Sequence, residues 1–351
     1  MPKETMSPRE RWLAVLNRQT PDRVPMDIWI TPEAAKGLQE YLGCDWDGVV
    51  QRLHIDPPLG VDGRYVGPPP KEGEDIWGIR YRDIDYGTGV YREAATAPLA
   101  RCNSVEEIEA NYTWPSPDHW DYSHLPEAIR GNEHRIIRGG GSEPMLVYKN
   151  LRGDHQAFMD LIEHPDIVHY CLGKLFDLAY QNTLRIFESI PGAVSITYVA
   201  EDLGGQAAIM YSPEHCREFF FPGMKRMMDL TRQHGSYVFT HSDGSFREVL
   251  PDLAGMGVQV LNPIQWRCKG MDREGLKRDF GDKLVFHGGV DNQYTLPFGT
   301  AEEVRSEVLD NYRILGEGGG YILAPCHNIQ SVTPPVNIET LYETGLEYGW
   351  R

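Results

Sequence analysis

From about residue 134 onward the chain alternates short β-prone runs with longer stretches of helical periodicity. The runs Arg135–Arg138, Ala193–Val199, Tyr237–Thr240, Val258–Leu261, Leu284–Phe286 and Tyr321–Leu323 predict strands. The stretches 157–188, 212–234, 300–315 and 336–347 predict helices, with Ser212-Pro213 opening one and Thr300 with Glu303 forming a capping box on another. Alternation of this kind implies parallel strands joined by helical crossovers. The first part of the chain is less regular. Ser7, Pro8 and Glu10 start a helix over 8–17, and Val24–Ile30 reads as a strand. Residues 55–125 lack helical periodicity, and Ile79–Arg82 with Gly89–Tyr91 predict a hairpin or lid. The pattern fits a single (β/α)8 TIM-barrel domain over 1–351 with an irregular N-terminal hairpin or lid region. Seven strands are countable, so an eighth is missing or irregular, and an open doubly wound sheet stands as the rival architecture.

Chemistry collects just after the strands. Gly139-Gly140-Gly141-Ser142 follows the first of the later runs and Glu201-Asp202-Leu203-Gly204 the second. His241-Ser242-Asp243-Gly244, Asn262-Pro263-Ile264-Gln265, His287-Gly288-Gly289-Val290-Asp291 and Cys326-His327-Asn328 follow the rest. In a parallel barrel these ends meet on one face, where catalytic groups sit. Turn formation alone accounts for the glycines, but not for the histidines, the cysteine and the carboxylates.

Composition narrows the function classes. A formal net charge of −17 over 351 residues disfavours non-specific binding to nucleic acid or anionic membranes. No run reaches the roughly 18 apolar residues of a membrane span, and the opening Met1-Pro2-Lys3-Glu4 is polar, so a cytoplasmic protein is expected. Cysteines at 44, 102, 171, 216, 268 and 326 form no C-x-x-C pair, which favours reduced thiols over a disulfide framework.

The opening Arg9-Glu10-Arg11-Trp12…Pro21-Asp22-Arg23-Val24-Pro25, the strand-end motifs above, and Gly318-Gly319-Gly320-Tyr321-Ile322-Leu323-Ala324-Pro325-Cys326-His327-Asn328-Ile329 resemble the uroporphyrinogen decarboxylase superfamily over nearly the whole chain. The resemblance implies a (β/α)8 barrel, commonly a homodimer. It also implies one of two activities: decarboxylation in heme biosynthesis, or methyl transfer by zinc enzymes that work with corrinoid proteins. Decarboxylases of this family carry arginines just after the first strand to hold a substrate ringed by carboxylates. Here Pro25-Met26-Asp27-Ile28-Trp29-Ile30-Thr31-Pro32 contains none. The methyltransferase branch implies a His-x-Cys zinc site completed by a distant Cys, which places His241, Asp243 and Cys326 as metal ligands with a carboxylate where a thiolate is expected. Such a site would be harder than one built from His and two Cys.

Strand parity lets His241 and Asp243 face the same way. It also sets Cys326 and His327 in opposite directions, so that one register fits a metal site and the other a substrate-facing histidine. Asp243 as a helix cap, and Cys326 as a small buried apolar residue, are the structural alternatives. Glu201 and Asp202 alternate in direction, so one of them is expected to serve as a fourth ligand or an acid–base group. His327 joins these two as a catalytic candidate. Asn262, Gln265, His287 and Asp291 are expected to contact substrate. The sequence favours a zinc-dependent methyltransferase acting between a small methylated substrate or thiol and a corrinoid carried by a partner protein. Metal-independent decarboxylation of a tetrapyrrole or another carboxylated small molecule is the alternative.

Overall fold

A computed structural model of the chain describes residues 3–85, 87 and 89–350. Met1-Pro2 of the polar N-terminus and Tyr86 of the tyrosine-rich stretch lie outside them. Seven parallel strands, β1 (Leu59–Val61), β2 (Ile137–Ser142), β3 (Ile196–Val199), β4 (Tyr237–His241), β5 (Val260–Asn262), β6 (Val285–Val290) and β7 (Tyr321–Pro325), form one sheet in chain order. Six of the predicted strands are present, most of them shifted one or two residues toward the C-terminus. β1 falls in the stretch that periodicity left unassigned, because three residues are too few to alternate detectably.

Val24–Ile30 joins the two edge strands. Asp27 donates its N–H to Leu323 (2.8 Å) and Leu323 donates to Pro25 (3.0 Å), which ties the segment to β7. On its other side Asp56 donates to the Met26 carbonyl (2.7 Å), next to the start of β1. The segment thereby bridges the two edges of the sheet as an eighth stave, and this stave is irregular for a local reason. Pro25 has no N–H, and the Met26 N–H goes to the carboxylate of Asp56 (3.0 Å) instead of a ladder carbonyl.

The barrel interior is layered by parity. Ile196, Phe239, Val260, Val285 and Ile322 pack with Trp12, Val15 and Leu16 of the helix Pro8–Leu16, which plugs the N-terminal end of the barrel. Two residues further along each strand, the same inward direction delivers Tyr198, His241, Asn262 and His287. One apolar layer therefore carries a polar one above it. The opposite parity, including Val199, Val238, Leu261, Phe286 and Leu323, packs against the surrounding helices.

The capping boxes at Ser7/Glu10 and Thr300/Glu303 form as the sequence predicts. The predicted helix over 157–188 is two helices, Asp154–Glu163 and Pro165–Ser189, divided because the residue before a proline resists helical dihedrals. Over 212–234 the helix runs on through a π turn at Cys216–Phe220, where Pro222 lacks the N–H that would continue α-helical bonding. Tyr81–Asp85 and Val90–Ala94 pair as an antiparallel hairpin. No helix among the described residues is long and apolar enough to cross a membrane.

Candidate metal centre at the barrel mouth

The loops after β3 and β4 are knitted together, and this fixes the direction of the side chains between them. Leu203 donates its N–H to Ser242 Oγ (3.0 Å), and Asp243 donates its N–H to Asp202 Oδ1 (3.0 Å). Gly244 donates to Gln265 Oε1 (2.6 Å), and Ser245 donates to the Gly205 carbonyl (2.7 Å). A Cβ on Gly244 would sit 2.4 Å from the Gly204 carbonyl oxygen, so the close approach of the two loops requires glycine there.

Held this way, His241, Asp243 and His327 each offer one ligand atom, and all three atoms lie within 4.8 Å of one another. His241 Nε2 is 3.8 Å from Asp243 Oδ1, and His327 Nε2 is 3.8 Å from Asp243 Oδ2. His241 Nε2 is also 3.7 Å from Asp202 Oδ1. These separations are too long for hydrogen bonds. They approach the spacing of about 3.4 Å expected of two ligands on one tetrahedral zinc ion. Asp243 Oδ1 is buried and has no hydrogen-bond partner among the described residues, and the carboxylate caps no helix. A buried oxygen left without a donor, beside two imidazole nitrogens, fits a cation.

The cysteine expectation changes. Cys326 is buried, and its thiol donates to the Ile264 carbonyl (3.2 Å). Burial pushes its pKa well above the usual thiol value, and its sulfur is not among the clustered ligand atoms. His327 is turned toward the site instead, so the three clustered atoms come from two imidazoles and one carboxylate. Parity made the two positions exclusive, but the sequence carried no signal for which one faces inward.

Asp202 faces the cluster, whereas Glu201 is buried behind it and accepts the Met145 N–H with both oxygens (3.2 Å each) at the start of the helix Pro144–Arg152. Burial raises the pKa of Glu201 well above the usual carboxylate value. Glu143, absent from the sequence-derived candidates, is pushed up to about 7 by burial and by the charge of Asp202, against the opposing effect of His241. Burial also raises the Asp243 pKa, with His241 and His327 pulling the other way.

The four expected substrate contacts have other partners. Asn262 bridges His241 and His287, and His287 reaches Asp27, all within the barrel. Gln265 supports the Gly244 turn. Asp291 accepts the N–H groups of Gln293, Tyr294 and Thr295 and the guanidinium of Arg267 (2.7 Å), so it orders the loop after β6. None of the four lines the cavity of about 560 Å³ at the barrel mouth. Asp27, Trp29, Asp62, Arg138, Tyr198 and Asn328 are among the residues that do, and Arg138 is the one basic residue of that wall among the described residues. Trp29, which lines the cavity, stacks on His241 with ring centroids 5.5 Å apart, so one ring touches both the cavity and the cluster. Asp27 and Trp29 were discoverable: both lie on one parity of a predicted strand.

Comparison with known proteins agrees with this architecture. The family model described as uroporphyrinogen decarboxylase (URO-D) matches residues 141–348. The uroporphyrinogen decarboxylase of Legionella pneumophila (strain Lens) is 24% identical over 95% of each chain. The methylcobamide:CoM methyltransferase MtaA of Methanosarcina barkeri is 27% identical over 97% of this chain and 98% of its own. A solved methyltransferase from Methanosarcina mazei superposes with a TM-score of 0.70 at 18% identity, over 98% of this chain and 99% of that one, which shows a shared fold. Strand order, strand-end chemistry and the family match together assign this chain to the uroporphyrinogen decarboxylase (URO-D) family.

Proposed function

We propose that this protein is a zinc-dependent methyltransferase that moves a methyl group between a small methylated substrate or thiol and a corrinoid carried by a partner protein. The observation behind this reading is the cluster His241, Asp243 and His327 with the unpartnered Asp243 oxygen, facing a cavity of small-molecule size. These three residues would hold the ion, with an Asp202 oxygen beside them as a fourth ligand. Zinc bound there supplies Lewis acidity toward the methylated atom or the thiol of the substrate. The remaining work belongs to the chain. Trp29 and Tyr198 wall the cavity and lie against the His241 ring, with centroids 5.5 Å and 5.8 Å away. Glu143, with its pKa near neutrality, can hold a proton at its carboxyl next to Asp202. A ligand set without thiolate favours oxygen donors more than a His and two-Cys site would.

Decarboxylation is the second reading. It is favoured by the inward direction of His327 and by the names of several relatives. Against it stands the cavity wall, where a single arginine meets a substrate class that needs several fixed cations.

Metal analysis of protein purified under reducing conditions separates the two. The proposal expects about one zinc ion per chain, retained in Cys326→Ser and lost in His241→Ala and His327→Ala, with no carbon dioxide released from uroporphyrinogen. Metal-free wild-type protein that releases carbon dioxide from uroporphyrinogen would overturn it.

A further inference from the structure

We propose that Asp27, His287, Asn262 and His241 form one directed hydrogen-bond relay across the barrel, which holds His241 in the tautomer with its proton on Nδ1 and its Nε2 lone pair turned to the site. The purpose of the relay rests on the metal reading above; its direction does not.

The contacts are short and continuous. His287 Nε2 lies 2.9 Å from Asp27 Oδ2, and the Asn262 amide nitrogen lies 2.8 Å from His287 Nδ1. Asn262 Oδ1 lies 2.6 Å from His241 Nδ1. All four residues are 4% exposed or less, so the relay lies within the barrel. The chain has a fixed end. Asp27 Oδ1 accepts the Ile28 N–H (2.8 Å), and Oδ2 accepts the Trp29 indole N–H (3.1 Å), so its oxygens act as acceptors.

Direction follows from that end. An acceptor oxygen at Asp27 requires His287 to donate from Nε2, which leaves Nδ1 of the neutral ring as an acceptor. The Asn262 amide nitrogen donates to it, and an amide can do so only with its oxygen turned to the other side. That oxygen therefore accepts from His241 Nδ1, and the remaining nitrogen, Nε2, is left with a lone pair. This is the nitrogen 3.8 Å from Asp243 Oδ1. An N–H there would face a carboxylate without reaching it; a lone pair there can take a cation. Hydrogen-bond partners of the ring nitrogen behind a ligating histidine fix its tautomer and orientation in this way. Here the partner is a relay of three side chains, and Asp27, His287 and Asn262 are positioning residues.

The relay is built from strand parity. His241 and Asn262 are register partners on β4 and β5, and Val260 pairs with Val285 two residues before Asn262 and His287. The three side chains thus share one layer of the barrel, and Asp27 enters that layer from the irregular stave.

Long-range 1H–15N correlation on metal-free, 15N-histidine-labelled protein reads each ring directly, with signals assigned from single His→Gln variants. The expected result is a proton on Nδ1 of His241 and on Nε2 of His287. Asn262→Leu and Asp27→Ala should transfer much of the His241 population to the Nε2–H form. Asp27→Asn, whose amide oxygen can still accept, should restore the wild-type pattern. Zinc affinity measured by chelator competition should fall about 10-fold in Asp27→Ala and remain near wild type in Asp27→Asn. A His241 ring protonated on Nε2 in the wild type, or unchanged His241 signals in Asn262→Leu, would overturn the relay even if zinc binds. The expected tautomers without any zinc binding would sustain the relay and reject the metal reading. His→Gln variants at the other histidines leave the His241 and His287 signals by elimination, so a relay variant that fails to fold does not remove the test.

Discussion

Asp56 is held between two guanidinium groups, Arg11 at 2.6 Å and Arg23 at 2.8 Å, and all three side chains are essentially buried. It also accepts the Met26 N–H, and its own N–H bonds the Met26 carbonyl, so one carboxylate anchors the irregular stave to the start of β1. This explains why the opening motif is so charged: Arg11 and Arg23 serve the barrel's seam, not the cavity. Removing the carboxylate leaves two buried cations facing each other. Asp56→Ala should therefore lower the free energy of unfolding by about 3–5 kcal/mol, measured by urea denaturation, with little loss of bound zinc per folded molecule. At this scale the sequence showed residue types without their partners. His241 and Asp243 stood out by strand-end position, whereas that position did not decide between Glu201 and Asp202. Which of Cys326 and His327 turns inward depends on where β7 stops, and it stops at Pro325, one residue before the pair.

The element scale was the more legible one. Alternating β and helical signals gave six of the seven sheet strands and the boundaries of the helices with strong caps. Two kinds of element escaped. Short ones such as β1, and the helices Pro144–Arg152, Leu250–Met256 and Arg273–Phe280, carry too few residues for a period to stand out. The irregular stave Val24–Ile30 was visible as a strand, but not as the piece that bridges the two edges of the sheet. The glycine run Gly139–Gly141 lies within β2 and not after it. The pairing of β2 with β3 shifts register between Arg138 and Gly141, and Gly141, where pairing resumes opposite Tyr198, adopts φ of +140° and donates its N–H to Thr183 Oγ1 (3.0 Å). A Cβ there would meet the Tyr198 carbonyl oxygen at 2.1 Å. Only Gly140 of the run lines the cavity. Gly141→Ala should cost about 1–3 kcal/mol by thermal or chemical unfolding, because backbone on β3 must move. It should also disturb Tyr198 and hence the cavity wall. A variant as stable as wild type would mean that the irregularity tolerates a side chain.

For the whole molecule, a chain of net charge −17 carries a cavity walled by one arginine, two aspartates, a tryptophan and a tyrosine, with the His–Asp–His cluster behind Trp29. Such a site suits a small, weakly charged substrate and an ion, and it poorly suits a ring of carboxylates. X-ray absorption at the zinc edge of the loaded, reduced protein tests this most directly. The account predicts a first shell of nitrogen and oxygen only, at about 2.0–2.1 Å, with the outer-shell scattering of two imidazoles. A sulfur scatterer at about 2.3 Å would place Cys326 on the metal and contradict it.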